Sequence, residues 1–129
     1  MLSEPIRERT RQHPQLKFSF AETALKSGYG DSIDLTVYRC VQESLTNAMK
    51  HAGAESIDVR VAATAGTLSL TIRDDGRGIA PSQPLGFGRL GMQERVEALG
   101  GECLIESQSG RGTLVRIRIP VPHNADHEP

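Results

Sequence analysis

Four polar side chains in the first half of the chain combine metal-binding and phosphate-binding chemistry at helical spacing. Glu43, Asn47 and His51 follow one another at intervals of four, and Lys50 stands beside them. A helix turns by about 100° per residue, so it would place all four on one side. A carboxylate, a carboxamide, an ammonium and an imidazole together suit a divalent metal and phosphate oxygens. A charged stripe alone is more often a solvated helix face, so its meaning depends on the rest of the chain.

A second group, Asp74, Gly76 and Gly78, follows a strand-like segment. A carboxylate at the end of a strand can accept a hydrogen bond from an exocyclic amine. Glycines let the backbone pass close to a flat ring or adopt positive φ. The alternative is an ordinary surface turn rich in Asp and Gly. The chain has no GxxxxGK[ST] phosphate loop, and no GxGxxG follows the first strand and opens a helix.

Two further glycine-rich segments lie in the second half of the chain, at residues 86–92 and 110–113. Residues 86–92, GFGRLGM, precede a predicted helix, where glycines would free backbone N–H groups to face phosphate oxygens. A flexible linker is the alternative for this segment. Residues 110–113, GRGT, carry the weakest signal, because most such sequences are hairpin turns.

The element that must position the first group is predicted to be a helix over Ile33–Gly53. Its apolar residues recur at helical spacing and form a stripe that would face a core; they are Val37, Val41, Leu45, Ala48 and Ala52. Asp31 or Ser32 is expected to cap this helix, and Gly53 to end it. The polar stripe therefore lies opposite the core stripe.

Alternating apolar and polar residues predict five strands, with a hairpin at Ala65-Gly66. A second helix is predicted over Met92–Leu99, ending at Gly100-Gly101, after a long aperiodic loop. The pattern indicates an α+β two-layer sandwich with helices on one face of the sheet. The predicted strands cover residues 16–20, 56–62, 67–72, 102–107 and 113–121.

The composition fits one domain and excludes some function classes. The chain has 129 residues, a net charge of −1 and a pI near 6.4, which gives no argument for nucleic acid or an anionic membrane. Cys40 and Cys103 match no metal spacing, and we expect reduced thiols in or near the core of a cytoplasmic protein. Residues 1–14 are predicted to be a tail or the end of an upstream segment, 15–122 the domain, and 123–129 a disordered tail.

The four motifs, in this order, resemble the ATP-binding domain of sensor histidine kinases, within the Bergerat-fold (GHKL) ATPases. Residues 43–52 resemble the N box, 74–78 the first glycine box, 86–92 the second and 110–113 the third. The run MQERVEALGG resembles kinases of the subfamily that pairs with nitrate-type response regulators. The resemblance implies the Bergerat ATP-binding fold, a two-layer α/β sandwich with a mixed, mostly antiparallel sheet.

The resemblance also implies roles for the helix residues. Asn47 would ligate Mg²⁺, which bridges the phosphates of ATP. Glu43 would be the catalytic residue, either polarising the attacking group or supporting the metal site. Lys50 and His51 would lie near the phosphates.

For the adenine base, the resemblance implies that Asp74 accepts a hydrogen bond from the amino group. Gly76 and Gly78 would shape the purine pocket, and Thr113 would buttress Asp74. Residues 79–90 would form a lid over the nucleotide. The family usually has an aliphatic residue where this chain has Arg89, which leaves two alternatives: either the lid closes with its register shifted by one, or Arg89 contributes a phosphate contact of its own. Further implied nucleotide contacts are Ala52, Ile79, Gly86, Gly88, Leu90, Gly91 and Met92.

The function implied is Mg-ATP binding and donation of the γ-phosphate to a histidine on a separate dimerisation hairpin. Residues 1–14 are too few to hold that hairpin, and His13 and His127 are expected to be solvated tail residues. We therefore expect a monomeric catalytic fragment that does not phosphorylate itself. Its partners would be ATP, the histidine-bearing hairpin of the parent kinase and, through the full-length kinase, a response regulator. Nucleic acid and direct membrane contact are not expected, although the parent could be membrane-anchored.

Two alternatives remain open at this point. One is a stand-alone serine kinase of the anti-sigma type, which uses the same fold without a histidine hairpin. The other is a nucleotide-sensing module of this fold without turnover. The MQERVEALGG run favours the sensor-kinase interpretation, and the presence of Glu43, Asn47 and Asp74 favours a functional site.

Overall fold

The computed structural model shows a mixed sheet and two helices. It describes residues 11, 17–23, 29–50, 53–76, 87–107 and 111–121, with the backbone alone for residues 50 and 87–89. The predicted α+β sandwich is confirmed. In chain order the described elements are β1 (Lys17–Thr23), α1 (Asp31–Lys50), β2 (Ser56–Thr64), β3 (Thr67–Asp74), α2 (Phe87–Ala98), β4 (Glu102–Ser107) and β5 (Thr113–Pro120).

The strands lie in the order β1-β2-β3-β5-β4. Strand β1 is parallel to β2, and the other neighbours are antiparallel, so the sheet is mixed and mostly antiparallel, as expected. The β2–β3 connection is the predicted hairpin: Ala65 and Gly66 both have positive φ, at 34° and 84°, as a type I′ turn requires. Strand β5 lies between β3 and β4 because the chain crosses over through α2.

The core lies between the helices and one face of the sheet. Alternate residues of the strands are buried there, while their neighbours point to the opposite side. The predicted core stripe of α1 is confirmed at Val37, Val41, Leu45 and Ala48, each at most 1% exposed. Each fully buried Leu, Ile or Val contributes roughly 1.5–3 kcal/mol. The other side of the sheet, here called the open face, is covered by neither α1 nor α2.

The start of α1 differs from the prediction. The helix begins at Asp31, and the amide of Asp34 donates to the carbonyl of Gly30 at 2.9 Å. Gly30 therefore holds the N-cap position, and the prediction that Asp31 or Ser32 caps the helix was wrong. The carboxylate of Asp34 instead accepts from the amide of Tyr29 at 3.0 Å. At the other end, Gly53 has a φ of 60°, as expected of a glycine that follows a helix.

Helix α2 begins at Phe87, five residues before the predicted start at Met92. The helix thus includes part of the segment that was interpreted as an irregular loop. Glycine inside a helix costs about 1 kcal/mol, and burial of Met92 and Val96 in the core offsets that cost. Its predicted end is confirmed: Gly101 donates to Val96 and Gly100 to Glu97, the two bonds of a Schellman motif.

Both cysteines are free and buried, as predicted. Burial raises the pKa of Cys40 to about 12, with Cys103 adding to the effect and Arg95 opposing it. Burial, together with Glu97, raises the pKa of Cys103 to about 11. Both thiols are therefore protonated and unreactive at neutral pH. Neither described helix combines the length and apolar character of a membrane span.

Candidate functional site

Helix α1 presents two of the predicted side chains. Glu43 and Asn47 are one turn apart and half-buried, next to the buried stripe that packs on the sheet. Helix α1 contacts β2 and β3, so this stripe faces the same side of the sheet as the core. Lys50 is the last residue of α1, but its side chain lies outside the described residues, as do His51 and Ala52 entirely.

A row of polar side chains crosses the end of the sheet on its helix-covered side. Asp74 is the Cα partner of Thr113 in β5, and Thr113 is the partner of Ser107 in β4. The hydroxyls of Ser107 and Thr113 are 3.0 Å apart, and that of Ser107 donates to the carbonyl of Gly112 at 3.3 Å. One hydroxyl carries one proton, so Thr113 is then the donor to Ser107. The register thus brings Thr113 beside Asp74, while buttressing of the Asp74 carboxylate stays a prediction.

Asp74 is the last residue of β3, which places it at a strand end as predicted. Its Oδ1 accepts from the amide of Gly76 at 2.8 Å, which is a local Asx-type turn. This bond fixes Gly76 against the carboxylate. Because Asp74 continues the alternation of Leu70 and Ile72, its side chain lies on the helix-covered side of the sheet.

The third glycine box packs tightly on this strand end. Gly112 has a φ of 85°, and a Cβ there would lie 2.2 Å from the carbonyl oxygen of Asp74. Real Cβ atoms do not approach that closely, so only glycine fits. The GRGT segment therefore joins β4 to β5 and also sets the position of the Asp74 backbone.

Asp75 is a site-shaping residue that the sequence patterns did not single out. Its carboxylate accepts from the amides of Glu55 and Ser56 at 2.8 and 2.9 Å, and from the Ser56 hydroxyl at 2.9 Å. The hydrogen bond from the Ser56 backbone is the main cause that holds the pKa of Asp75 below its usual range. Strand alternation could have identified Asp75, because it places the side chains of Asp74 and Asp75 on opposite faces of the sheet and so gives them different roles.

The remaining predicted residues divide into two groups. In α2, Gly88 lies in the first turn, Leu90 is 45% exposed and Met92 is 4% exposed within the core. Gly91 follows in the same helix, where a Cβ would meet open space. Those that fall outside the described residues are Gly78, Ile79 and Gly86.

The oxygen donors of α1 limit which metal ion the site could bind. Within the described ranges, no group of three or more His, Cys, Asp or Glu side chains could hold a metal ion. Glu43 and Asn47 supply one carboxylate and one carboxamide oxygen at one-turn spacing. Mg²⁺ is commonly held by one or two such side chains together with water and phosphate oxygens. The donor set therefore fits Mg²⁺ bound jointly with a phosphate-bearing ligand.

Comparisons with known proteins bear on this arrangement. Residues 30–123 match the family model described as histidine kinase-, DNA gyrase B- and HSP90-like ATPases. The chain is 43% identical over 84 residues, 65% of its length, to sensor histidine kinase LnrJ of Bacillus subtilis. It is 37% identical over 93 residues, 68% of its length, to the signal transduction histidine-protein kinase/phosphatase DegS of the same organism. The matched stretches make up 21% and 24% of those relatives.

Solved structures agree on the fold. The histidine kinase domain of a blue-light activated kinase from Erythrobacter litoralis superposes with a TM-score of 0.73 at 26% identity, covering 93% of this chain and 63% of that one. The mycobacterial sensor kinase MprB gives a TM-score of 0.69 at 23% identity, covering 93% and 91%, and shows the fold alone.

Three observations indicate one family. Helix α1 carries two oxygen donors one turn apart, Gly76 and Gly112 contact the Asp74 end of β3, and the family model matches residues 30–123. The chain belongs to the histidine kinase-, DNA gyrase B- and HSP90-like ATPases, and among them it is a catalytic ATP-binding domain of the sensor histidine kinase type.

Proposed function

We propose that this domain binds Mg-ATP between α1 and the Asp74 end of the sheet. We further propose that it supplies the γ-phosphate to a histidine on a separate hairpin of a parent kinase. The observation that carries the proposal is the register that puts Asp74 and Thr113 on the helix-covered side of the sheet, the side on which α1 presents Glu43 and Asn47. One end of the site thus offers a base-reading carboxylate and the other offers oxygen donors for a metal and phosphates.

Adenine recognition rests on Asp74. Its Oδ1 is held by the Gly76 amide at 2.8 Å, so the carboxylate has a fixed orientation before a ligand arrives. A hydrogen bond from the exocyclic amine of adenine to this carboxylate would select adenine over guanine, which has a carbonyl at that position. Gly76 and Gly78 would shape the purine pocket, while Gly112 packs against the Asp74 carbonyl and sets the position of that strand end.

The phosphates of ATP would bind at the end of the site formed by α1. Asn47 would hold Mg²⁺ through its side-chain oxygen, and Glu43, one turn earlier, would support the metal site or polarise the attacking imidazole. When bound, Mg²⁺ neutralises charge on the phosphate oxygens as the phosphoryl group is transferred. Lys50 and His51 would add phosphate contacts, and residues 79–90 would close over the nucleotide as a lid that ends in the first turn of α2.

The relatives favour transfer to histidine over the serine-kinase alternative, because both LnrJ and DegS are named as histidine kinases. The chain spans about a quarter or less of those relatives, so the acceptor histidine would lie in another part of a longer parent. A nitrate-type response regulator would then receive the phosphoryl group from the parent. We place this domain in the cytoplasm, as a monomer when isolated.

The proposal is tested by Asn47→Ala, measured by titration calorimetry with ATP and Mg²⁺. Loss of the metal-holding oxygen should abolish detectable binding. The free energy of unfolding should stay within about 0.5 kcal/mol, because Asn47 is half-buried and is not one of the core residues. Gln42→Ala is the matched control: it removes a half-buried carboxamide from the same helix at a position turned away from Asn47. Wild-type affinity in Asn47→Ala would contradict the proposal.

A further inference from the structure

The open face of the sheet carries a set of exposed polar side chains that the nucleotide site does not use. In each strand these residues alternate with the buried ones, so they lie on the side away from α1 and α2. The register of the five strands shows which of these residues are neighbours across the sheet, in the strand order β1, β2, β3, β5 and β4. One such row is Ser19, Asp58, Arg73, Leu114 and Glu106.

A cavity of about 750 Å³ lies along this row, here called the trough. Its lining includes Lys17 of β1 at one end and Glu106 of β4 at the other. It therefore crosses every strand of the sheet, and four strand spacings of about 4.8 Å make it roughly 19 Å long. Asp74 and Thr113 also border the cavity, but their side chains point to the opposite side, so the trough and the nucleotide site lie back to back.

Two carboxylates of the trough are already satisfied by protein donors. Asp58 accepts from the hydroxyl of Ser19 and from Arg60, whose Nε is 2.9 Å away. Those contacts hold the pKa of Asp58 below its usual range, the Ser19 hydrogen bond most of all. Asp75 accepts the three hydrogen bonds from Glu55 and Ser56 described above. Neither carboxylate needs an external cation.

The cations of the trough are in the opposite situation. Lys17, Arg73 and Arg116 line it with exposed side chains, and within the described ranges none of the three forms an ion pair or a side-chain hydrogen bond. Glu106 is the one described carboxylate of the lining without such a partner. Apart from Asp74, which points to the other side, the lining holds Lys17, Arg73, Arg111 and Arg116 against Asp58, Asp75 and Glu106. Four cations against three carboxylates make the trough net positive by one, although the whole chain has a net charge of −1.

The arginines are also crowded. Arg60 and Arg116 are the two cross-strand partners of Thr71, and Arg73 is its next neighbour along β3 on the same face. Arg73 is thus a diagonal neighbour of both Arg60 and Arg116, at a spacing of roughly 7–8 Å, and like charges at that separation repel. Asp58 forms an ion pair with Arg60 and is also the cross-strand partner of Arg73. Arg116 has Thr71 and Leu104 as its cross-strand partners and faces no carboxylate there. An external anion placed among them would relieve the repulsion.

Apolar side chains beside the arginines indicate what kind of anion fits. Leu104 is 55% exposed and is the cross-strand partner of Arg116, and Leu114 lines the trough. Arginine beside exposed apolar surface is typical of protein interfaces. An inorganic anion would gain nothing from the two leucines, whereas a polypeptide can supply carboxylates and an apolar side chain together.

We propose that the trough docks an extended, acidic segment of a partner polypeptide. At about 3.3 Å per residue, a strand-like segment of roughly six residues spans the 19 Å. Its carboxylates would pair with Lys17, Arg73 and Arg116, and an apolar side chain would cover Leu104 and Leu114. This docking is independent of the nucleotide proposal, because the two sites lie on opposite faces of the sheet.

The test uses fluorescence anisotropy of the full chain with a fluorescein-labelled hexapeptide of five Glu and one Leu. A hexapeptide with Lys in place of Glu serves as the probe control. We expect saturable binding of the acidic peptide alone, weakened about tenfold by Arg73→Ala/Arg116→Ala and lost at high salt. Arg39→Ala/Arg95→Ala is the matched control, since it removes two exposed arginines from the helices, and it should weaken binding less than about twofold.

Retained ATP affinity in Arg73→Ala/Arg116→Ala shows that the variant is folded. No saturable binding of the acidic peptide would overturn the proposal, as would an equal loss in the two double variants, which would indicate general charge attraction. A single-stranded hexanucleotide that binds as tightly as the peptide, with the same dependence on Arg73 and Arg116, would also overturn it by making the trough a phosphate site.

Discussion

At the scale of residues, two adjacent carboxylates have different surroundings because strand alternation separates them. Asp74 points to the helix-covered side, where Thr113 is its cross-strand neighbour. Asp75 points to the open side and binds the start of β2 through Glu55 and Ser56. We interpret Asp74 as the residue that reads the base and Asp75 as the residue that holds the strand end in place.

Asp74→Asn should weaken ATP binding more than GTP binding. The substitution removes the charge and one acceptor, and a hydrogen bond to a charged group contributes about 1.5–3 kcal/mol. Titration of both nucleotides into the variant and the wild type measures the difference. Equal losses for the two nucleotides would mean that Asp74 does not read the base.

Asp75→Ala should lower the free energy of unfolding by about 1 kcal/mol at neutral pH, a modest value because the site is exposed to water. The pKa of Asp75 is lowered from its ordinary 3.8 in the folded protein. Its stabilisation is therefore fully present above that value and is lost as the pH falls through the folded pKa.

Urea unfolding of wild type and Asp75→Ala across this pH range tests the linkage. The two stabilities should differ at pH 7 and converge as the pH falls through the lowered pKa of Asp75 in the folded protein. Asp58→Ala is a useful comparison, because its pKa is also lowered but it holds no loop amide. A constant difference between wild type and Asp75→Ala at all pH values would argue against a role for the charge.

Glu43 and Asn47 are half-buried next to the buried stripe of α1, and not opposite it as the sequence pattern predicted. The sequence was nevertheless sufficient to put them together on one side of the helix, because helical periodicity fixes its faces. It was also sufficient to put Asp74 at a strand end. It did not identify Asp75, since its partners Glu55 and Ser56 lie at the start of β2, 20 and 19 positions away, and such contacts depend on the tertiary register. The pairing of Ser107 with Thr113 has the same origin.

At the scale of elements, local patterns predicted the strands well and the start of α2 poorly. Alternation is a local property, so β4 was predicted with the bounds that the structure shows, Glu102–Ser107. Glycines at 86, 88 and 91 argued against a helix, yet α2 begins at Phe87 because packing of Met92 and Val96 on the core outweighs local propensity. The parallel pairing of β1 with β2 is a non-local contact that alternation alone does not encode.

Gly112→Ala should be far more destabilising than Gly53→Ala. Both glycines have positive φ, at 85° and 60°, but a Cβ at Gly112 would lie 2.2 Å from the Asp74 carbonyl, whereas one at Gly53 meets open space. We expect a loss of about 1 kcal/mol for Gly53→Ala and about 3 kcal/mol or more for Gly112→Ala. Equilibrium urea unfolding measures both, and similar losses would mean that the contact between the third glycine box and β3 yields easily.

At the scale of the whole molecule, one sheet separates two surfaces of different character. The helix-covered side holds the core and the proposed nucleotide site, and the open face holds the trough. This separation would allow a partner to bind without blocking ATP. It also makes the two proposals separable by mutation, because Asn47 and Arg116 lie on opposite sides of the sheet.

The central claim is that the domain binds Mg-ATP through Asn47 and passes the γ-phosphate to a histidine outside this chain. The direct measurement is incubation with γ-labelled ATP and Mg²⁺, with and without the separately produced hairpin of its parent kinase. In-line transfer needs an imidazole about 3–3.5 Å from the phosphorus, and we expect the hairpin to supply it. The account predicts acid-labile, base-stable label on the hairpin alone, and none with Asn47→Ala. Stoichiometric labelling of any of the chain's four histidines, or undiminished transfer by Asn47→Ala, would contradict it.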